Sequence, residues 1–278
     1  MKRGCLIFAH DGKIDYGSQA VLAASLVIKH LQVPVSLVAD RATIKNVKEK
    51  FEVLPFDQII EIDNNSTNSR TLSGEIVQFF NETRSLAYTV TPYDRTLIID
   101  SDFLVFSDEL NKYWNDPHDF LIAPGMLELQ QDEIKPTKHR LNSNSIKQLW
   151  ATNIMFSKTP EVKILFNLVD YIKEEYVYFS HLYEFDSRQY RNDFAFSIAC
   201  FIMSGYQEDP WHGNLPVPLF YKDNDEILAV HETGQITFLV SKFKGNEYLL
   251  SKCQDQDVHI MNKRSLLIHL DKLLELSK

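Results

Sequence analysis

Cysteine is scarce and scattered. Only Cys5, Cys200 and Cys253 occur, an odd number with no C-x-x-C pair, so neither a disulfide framework nor a thiolate metal site is on offer. With 9 glycines and 10 prolines the chain is neither collagen-like nor a low-complexity linker, and no internal repeat is visible. No apolar run approaches the length of a membrane span. Behind Lys2 and Arg3 the chain enters a short strand-like run rather than the apolar core of a signal peptide, so the cytoplasm is the expected compartment. Positive charge is also in short supply. Lys and Arg number 29 against 38 Asp and Glu, a formal net charge of -9, which excludes coating nucleic acid by bulk electrostatics and leaves only a local basic patch for such a task.

What is present is a large apolar complement. Hydrophobic residues make up 44% of 278 positions, with 18 Phe and 12 Tyr, enough for a sizeable core. The opening reads as a strand–helix–strand unit. Cys5-Leu6-Ile7-Phe8-Ala9 is a continuous apolar run that ends at His10-Asp11-Gly12. Ala20, Ala23, Ala24, Val27, Ile28 and Leu31 recur at helical spacing, and Val35 to Ala39 runs into Asp40. Apolar strands buried on both faces and joined by helices imply a parallel sheet, whose ligands gather beyond the carboxyl ends of its strands. Further strands are expected at Gln58–Ile62, Thr96–Ile99, Phe120–Ala123, Ala151–Phe156, Ile236–Val240 and Asp257–Met261. Helices are expected over Ser73–Tyr88, Pro160–Phe179, Asp193–Met203 and Arg264–Leu276. The expected class is α/β, a mixed, mainly parallel Rossmann-like sheet flanked by helices in a single domain. Residues up to about 110 would form a nucleotide-binding part, and about 111–278 an acceptor part.

The strongest chemical signal is Asp100-Ser101-Asp102 directly after the buried run Thr96-Leu97-Ile98-Ile99. Two carboxylates one residue apart at a strand end can hold one hard divalent cation, Mg or Mn, which in turn can bridge a diphosphate. As a strand-end group Asp102 is expected to be exposed. The same D-x-D opens the phosphatase signature D-x-D-x-[TV], but the fifth residue here is Leu104. Sugar nucleotidylyltransferases place a Gly-rich basic loop after the first strand, and Ala9-His10-Asp11-Gly12-Lys13 is not one.

The runs Arg84-Ser85-Leu86-Ala87-Tyr88 and Tyr93-Asp94-Arg95-Thr96-Leu97-Ile98-Ile99-Asp100-Ser101-Asp102 resemble the core of GT-A glycosyltransferases, particularly the glycogenin-like group. The resemblance implies the GT-A fold and a nucleotide diphosphate sugar, UDP-linked, as donor. It assigns the metal to Asp100, Asp102 and the late His259, and the diphosphate to Arg84 and Lys263. It sets Ser101, Thr152 and Asn153 near the donor, and Asn192 and Asp193, with Arg84, at the reacting sugar. The glycine and the Lys-Pro-Trp ending that usually accompany this late histidine are missing. Ala9, His10, Asp11 and Asp40 would hold the nucleoside. Both aspartates read equally as turn residues, and Asn192-Asp193 reads equally as a helix cap.

Gly4 to His10, Pro34 to Asp40 and Val258 to Lys263 further resemble glycosyltransferases of large tailed phages. That resemblance implies transfer of glucose or arabinose to 5-hydroxymethylcytosine in double-stranded DNA, in a host cytoplasm. Lys135, Lys138, His139, Arg140 and Lys147, with Arg188 and Arg191, would then meet phosphates; a solvated insertion is the plainer reading of that segment. A glycan or protein acceptor, or a non-catalytic binder of nucleotide sugars, are the alternatives.

Overall fold

The structure, a computed structural model, describes residues 1–63, 69–72, 75–78, 82–130, 133–137, 139–185, 189–207, 210–241 and 247–278. The chain opens with β1 (Arg3–Ala9), α1 (Tyr16–Leu31), β2 (Val35–Ala39), α2 (Arg41–Lys50) and β3 (Gln58–Glu61). Asp15 starts α1 by accepting from the Ser18 N–H, and Asp40 starts α2 by accepting from that of Thr43. A hairpin of β4 (Ser69–Leu72) and β5 (Glu75–Gln78) follows. Then come a 3-10 turn (Glu82–Leu86), α3 (Ala87–Val90), β6 (Arg95–Asp100), β7 (Phe103–Leu104) and β8 (Phe120–Ala123). The middle of the chain supplies β9 (Met126–Gln130), β10 (Glu133–Thr137), β11 (Trp150–Ser157), α4 (Pro160–Glu174), α5 (Tyr176–Leu182) and α6 (Asn192–Met203). The remainder is β12 (Gly213–Asn214), β13 (Leu219–Tyr221), β14 (Glu226–Val230), β15 (Ile236–Ser241), β16 (Tyr248–Cys253), β17 (Val258–Ile260), α7 (Lys263–Ile268) and α8 (Leu270–Leu276).

The main sheet has seven strands in the order β12-β8-β11-β6-β1-β2-β3. Pairings β6–β1, β1–β2 and β2–β3 are parallel, and β11 runs antiparallel to both neighbours. This is the mixed, mainly parallel α/β sheet that the apolar runs imply, and it draws strands from both sides of residue 110. Successive residues of its central strands feed two cores. Cys5, Ile7, Leu97 and Ile99 pack with α1 and α8, while Leu6, Phe8, Ile98 and Ile154 pack with α4 and α6. A second sheet, β10-β9-β13-β17-β7, completes the frame around the carboxyl end of β6.

Three expected elements are corrected. The helix over Ser73–Tyr88 is not what its described residues form: Glu75–Gln78 is β5, paired antiparallel with β4, and the 3-10 turn and short α3 follow, while residues 73–74 and 79–81 lie outside the described ones; the β-branched pair Ile76-Val77 favours a strand over a helix. The helix over Pro160–Phe179 breaks at Glu175 into α4 and α5, and the terminal helix breaks at His269 into α7 and α8. Among the described residues no helix is long and apolar enough to cross a membrane.

Candidate metal and donor site

Backbone pairing brings His259 to the D-x-D turn. Beyond Asp102 the chain enters β7, which lies antiparallel to β17 with His259 opposite Phe103, and the Ile260 N–H donates to the Asp102 carbonyl at 3.0 Å. Asp257 anchors the start of β17: one of its carboxylate oxygens accepts from the Phe106 and Ser107 N–H groups and the Ser107 hydroxyl. Burial pushes that carboxyl up to about 6, against the lowering effect of those bonds. As a result Asp100, Asp102 and His259 offer ligand atoms that all lie within 4.8 Å of one another.

Each carboxylate turns one oxygen to the imidazole and the other to a cation. Asp102 Oδ1 is 3.3 Å and Asp100 Oδ2 is 4.0 Å from His259 Nε2; Asp102 Oδ2 pairs with Lys263 Nζ, and Asp100 Oδ1 with the Arg84 guanidinium. Two ligands each about 2.1 Å from a shared Mg or Mn ion lie roughly 3.0–4.2 Å apart, and both separations from Nε2 fall in that range. Two hard oxygens and an imidazole nitrogen also suit it chemically. The ring is oriented from behind by Thr152, whose hydroxyl lies 3.1 Å from Nδ1; the tautomer that donates from Nδ1 turns the Nε2 lone pair towards the carboxylates. Phe220, opposite His259 on β13, packs its ring at 5.5 Å.

Asp102 is buried, not exposed as its strand-end position suggests, and so is Lys263. Burial alone would raise the Asp102 carboxyl; Lys263 and His259 outweigh it and hold the group well below the usual carboxylate range. Lys263 reaches it because Asn262 caps α7 with its side chain, accepting from the Ser265 N–H, which sets Lys263 at the first helical position.

Arg84 is buried on the 3-10 turn and also donates to the Ala151 carbonyl. The N–H of Ala151 donates to Asp193 Oδ1 at 3.1 Å, and Asp193 Oδ2 pairs with Arg191 at 2.7 Å. Asn192 and Asp193 therefore do not cap α6. The cap position is Arg191, and both side chains turn elsewhere, Asn192 accepting from the Tyr190 hydroxyl at 3.1 Å. Asn153 is buried with both polar atoms of its amide unpartnered, and Ser101 is buried in the turn.

The expected nucleoside contacts sit at the ends of β1 and β2, engaged with their own chain. Asp11 accepts from the Gly17 N–H and Asn46, while Asp40 accepts from the Thr43 N–H and lies 3.0 Å from His10 Nδ1. The basic candidates divide. Arg191 stands at Asp193, whereas His139, Arg140 and Lys147 line a separate cleft that none of the metal-site residues borders. Lys135 is in β10; Lys138 and Arg188 lie outside the described residues. Sequence reasoning missed Phe220 and the Ala151 peptide. The aromatic run Leu219-Phe220-Tyr221 after Pro218 is the available signal for the first; a backbone contact leaves none.

No family model and no curated protein matches the sequence. Solved structures with a similar arrangement include the glycosyltransferase GlyE of Streptococcus pneumoniae TIGR4, at 11% identity and TM-score 0.43, covering 78% of this chain and 45% of that one. This chain thus spans about half the length of GlyE. An active-site mutant of LgtC matches at 14% identity and TM-score 0.47 over 79% of this chain and 75% of its own. Mouse xyloside xylosyltransferase 1 matches at 13% and 0.46, over 78% and 86%. At these scores the functional reading rests on the residues of this chain alone.

Proposed function

We propose that the chain is a metal-dependent glycosyltransferase of the GT-A type, moving a sugar from a nucleotide diphosphate, UDP in the first instance, to an acceptor hydroxyl. The observation that carries this reading is the convergence of Asp100, Asp102 and His259 within 4.8 Å from distant parts of the chain, with two cations beside them. A bound Mn or Mg ion would offset the negative charge that grows on the departing diphosphate. The chain's own residues supply the rest. Arg84 and Lys263 neutralise the outer carboxylate oxygens and would meet diphosphate oxygens when the donor arrives. Thr152 fixes the imidazole, and burial of Asp102 and Lys263 excludes water from the cation side of the site. Residues up to about 110 carry the two carboxylates and the nucleoside edge, and the remainder brings His259, Lys263 and the acceptor side.

The test is Mn-dependent hydrolysis of a panel of nucleoside diphosphate sugars, UDP-linked glucose, galactose, N-acetylglucosamine, xylose and arabinose among them. Hydrolysis of at least one, abolished by EDTA and by Asp100→Asn, is expected. Absence of turnover with every donor rejects the reading.

A further inference from the structure

A cleft of about 1080 Å³ opens between the 139–149 loop, the end of α5, the second half of α6, Tyr206 and Gln207, and residues 210–214. It is large enough for a ligand of several sugar rings. Its aromatic part is a short ladder: Phe201 stands between Tyr183 and Tyr206, with ring centroids 6.3 and 5.7 Å away, both edge-on. Tyr206 is 64% exposed. The end of α6 puts it there, since Gly205 N–H bonds to the Ile202 carbonyl and Tyr206 N–H to that of Phe201. Gly205 and Tyr206 both have positive φ, 69° and 63°. Glycine adopts that conformation freely, whereas a bulky side chain does so at a cost, and here no core packing of the exposed ring offsets it.

The exposed amides of Asn144, Gln207 and Asn214 also line the cleft. An amide donates and accepts at once, which matches a sugar hydroxyl, while aromatic rings suit the C–H faces of a pyranose. Among the described residues the charged lining is Arg140 and Lys147 against Glu184, so it is close to neutral. Arg140 Nη1 donates to the Ser145 carbonyl at 2.5 Å, and its backbone bridges to Lys147. A polyphosphate strand needs many clustered cations, and the chain's formal net charge is -9. The floor of the cleft includes Ser197, whose hydroxyl donates to the Asp193 carbonyl and accepts from the Leu149 N–H. Ser197 is one turn of α6, about 6 Å of helix rise, from Asp193, whose carboxylate accepts from the Ala151 N–H; Arg84, the partner of Asp100, in turn donates to the Ala151 carbonyl.

The geometry points to an acceptor cleft for a neutral oligosaccharide, in which Tyr183 and Tyr206 stack on ring faces and Asn144, Gln207 and Asn214 bind hydroxyls. This rests on the sugar-transfer reading of the neighbouring site, and the experiment separates the two. Maltohexaose, cellohexaose, xylohexaose and chitohexaose are titrated into the protein by calorimetry, beside a DNA duplex carrying 5-hydroxymethylcytosine. Mn-dependent donor hydrolysis is measured in parallel. At least one hexasaccharide binds the wild type, Tyr206→Gly and Gln207→Ala each weaken it tenfold or more, and donor hydrolysis is unchanged in both. Tyr206→Gly relieves the backbone while deleting the ring, so its unfolding midpoint stays at or above that of the wild type and a folding defect is excluded as the cause. The cleft assignment is overturned if no hexasaccharide binds, if the variants bind as the wild type does, or if the duplex binds in their place with the same dependence on Tyr206. Hexasaccharide binding that survives while no donor is hydrolysed upholds the cleft and overturns the transferase reading.

Discussion

Arg84 and Asp193 hold the two ends of one residue: the guanidinium donates to the Ala151 carbonyl, and Asp193 Oδ1 accepts from the Ala151 N–H at 3.1 Å. Arg84 also pairs with Asp100, so the position of a metal-site carboxylate is tied to Asp193 through a single residue of β11. Removing the far support loosens the near one. Asp193→Ala is expected to lower metal-dependent donor hydrolysis about 10–100-fold, the usual cost of losing an outer-shell partner. Arg191→Met removes a half-exposed ion pair and the guanidinium's contact with the Phe194 ring, and should cost about 0.5–2 kcal/mol of stability. Steady-state hydrolysis by the two variants checks this; equal rates for Asp193→Ala and the wild type would remove Asp193 from the site.

Asp102 and Lys263 make a buried pair, which changes what a neutralising substitution does. Asp102→Asn leaves an ammonium buried without its counter-charge, a loss of about 3–5 kcal/mol. Combining it with Lys263→Met should restore most of that stability while activity stays absent. Urea unfolding of the single and double variants measures the difference, and a single variant as stable as the wild type would show that the ammonium finds another partner.

The parallel core was legible because each central strand is a continuous apolar run; neighbouring residues such as Leu6 and Ile7 feed opposite cores, so no polar alternation interrupts the signal. The two Asp of the D-x-D turn were readable for the same reason, since polarity begins where β6 ends. Other features had no such contrast. The hairpin before Arg84 looks helical by composition, and three-residue β13, which brings Phe220 against His259, is too short to show a period. Asp11 and Asp40 illustrate a deeper ambiguity. A carboxylate at a strand end serves a ligand or caps the next helix with the same side chain in the same place, and only the accepted N–H groups of Gly17 and Thr43 show the structural part of their work. The partnership of His259 with the two aspartates came from family resemblance; nothing in the spacing announces it.

Gly4 has no room for a side chain. A Cβ built there meets ring carbons of Tyr93 at 2.4 Å, and that ring is fully buried with its hydroxyl 2.7 Å from Ser36 Oγ. The ring has nowhere to go, so Gly4→Ala should destabilise the protein by about 1–3 kcal/mol through overpacking. Thermal unfolding of Gly4→Ala alone and with Tyr93→Leu gives the check: the second change should recover part of the loss.

His10 is buried beside Asp40 and Asp11. Burial lowers its pKa, and the raising effect of Asp40, then of Asp11, does not make up the difference. The folded state therefore favours the neutral ring, while the unfolded chain takes up its proton near about pH 6.5. The contribution of His10 is fully present above that pH and is lost as the pH falls through the window between the two values. The urea midpoint of the wild type should accordingly fall more between pH 7.5 and 5.5 than that of His10→Asn. Parallel slopes in the two proteins would assign the pH dependence to other groups.

Thr152 offers the sharpest separation of metal binding from folding and from donor chemistry. Its hydroxyl is the partner of His259 Nδ1 at 3.1 Å, and it is buried, so no solvent replaces it. Valine has nearly the same shape and no hydroxyl. Thr152→Val therefore leaves the core filled but a ring nitrogen without a partner, a loss of about 1–3 kcal/mol that a protein of this size tolerates. Its effect on the metal should be larger in proportion, because a ring free to change tautomer or rotate presents Nε2 to the carboxylates only part of the time. Mn affinity measured without donor is expected to drop about 10–100-fold in Thr152→Val, and to recover in Thr152→Ser, which restores the hydroxyl. His259→Ala should lose at least as much. If Thr152→Val bound Mn as tightly as the wild type while His259→Ala did not, His259 would remain a ligand but Thr152 would not be what orients it; if neither mattered, the ion would be held by Asp100 and Asp102 alone.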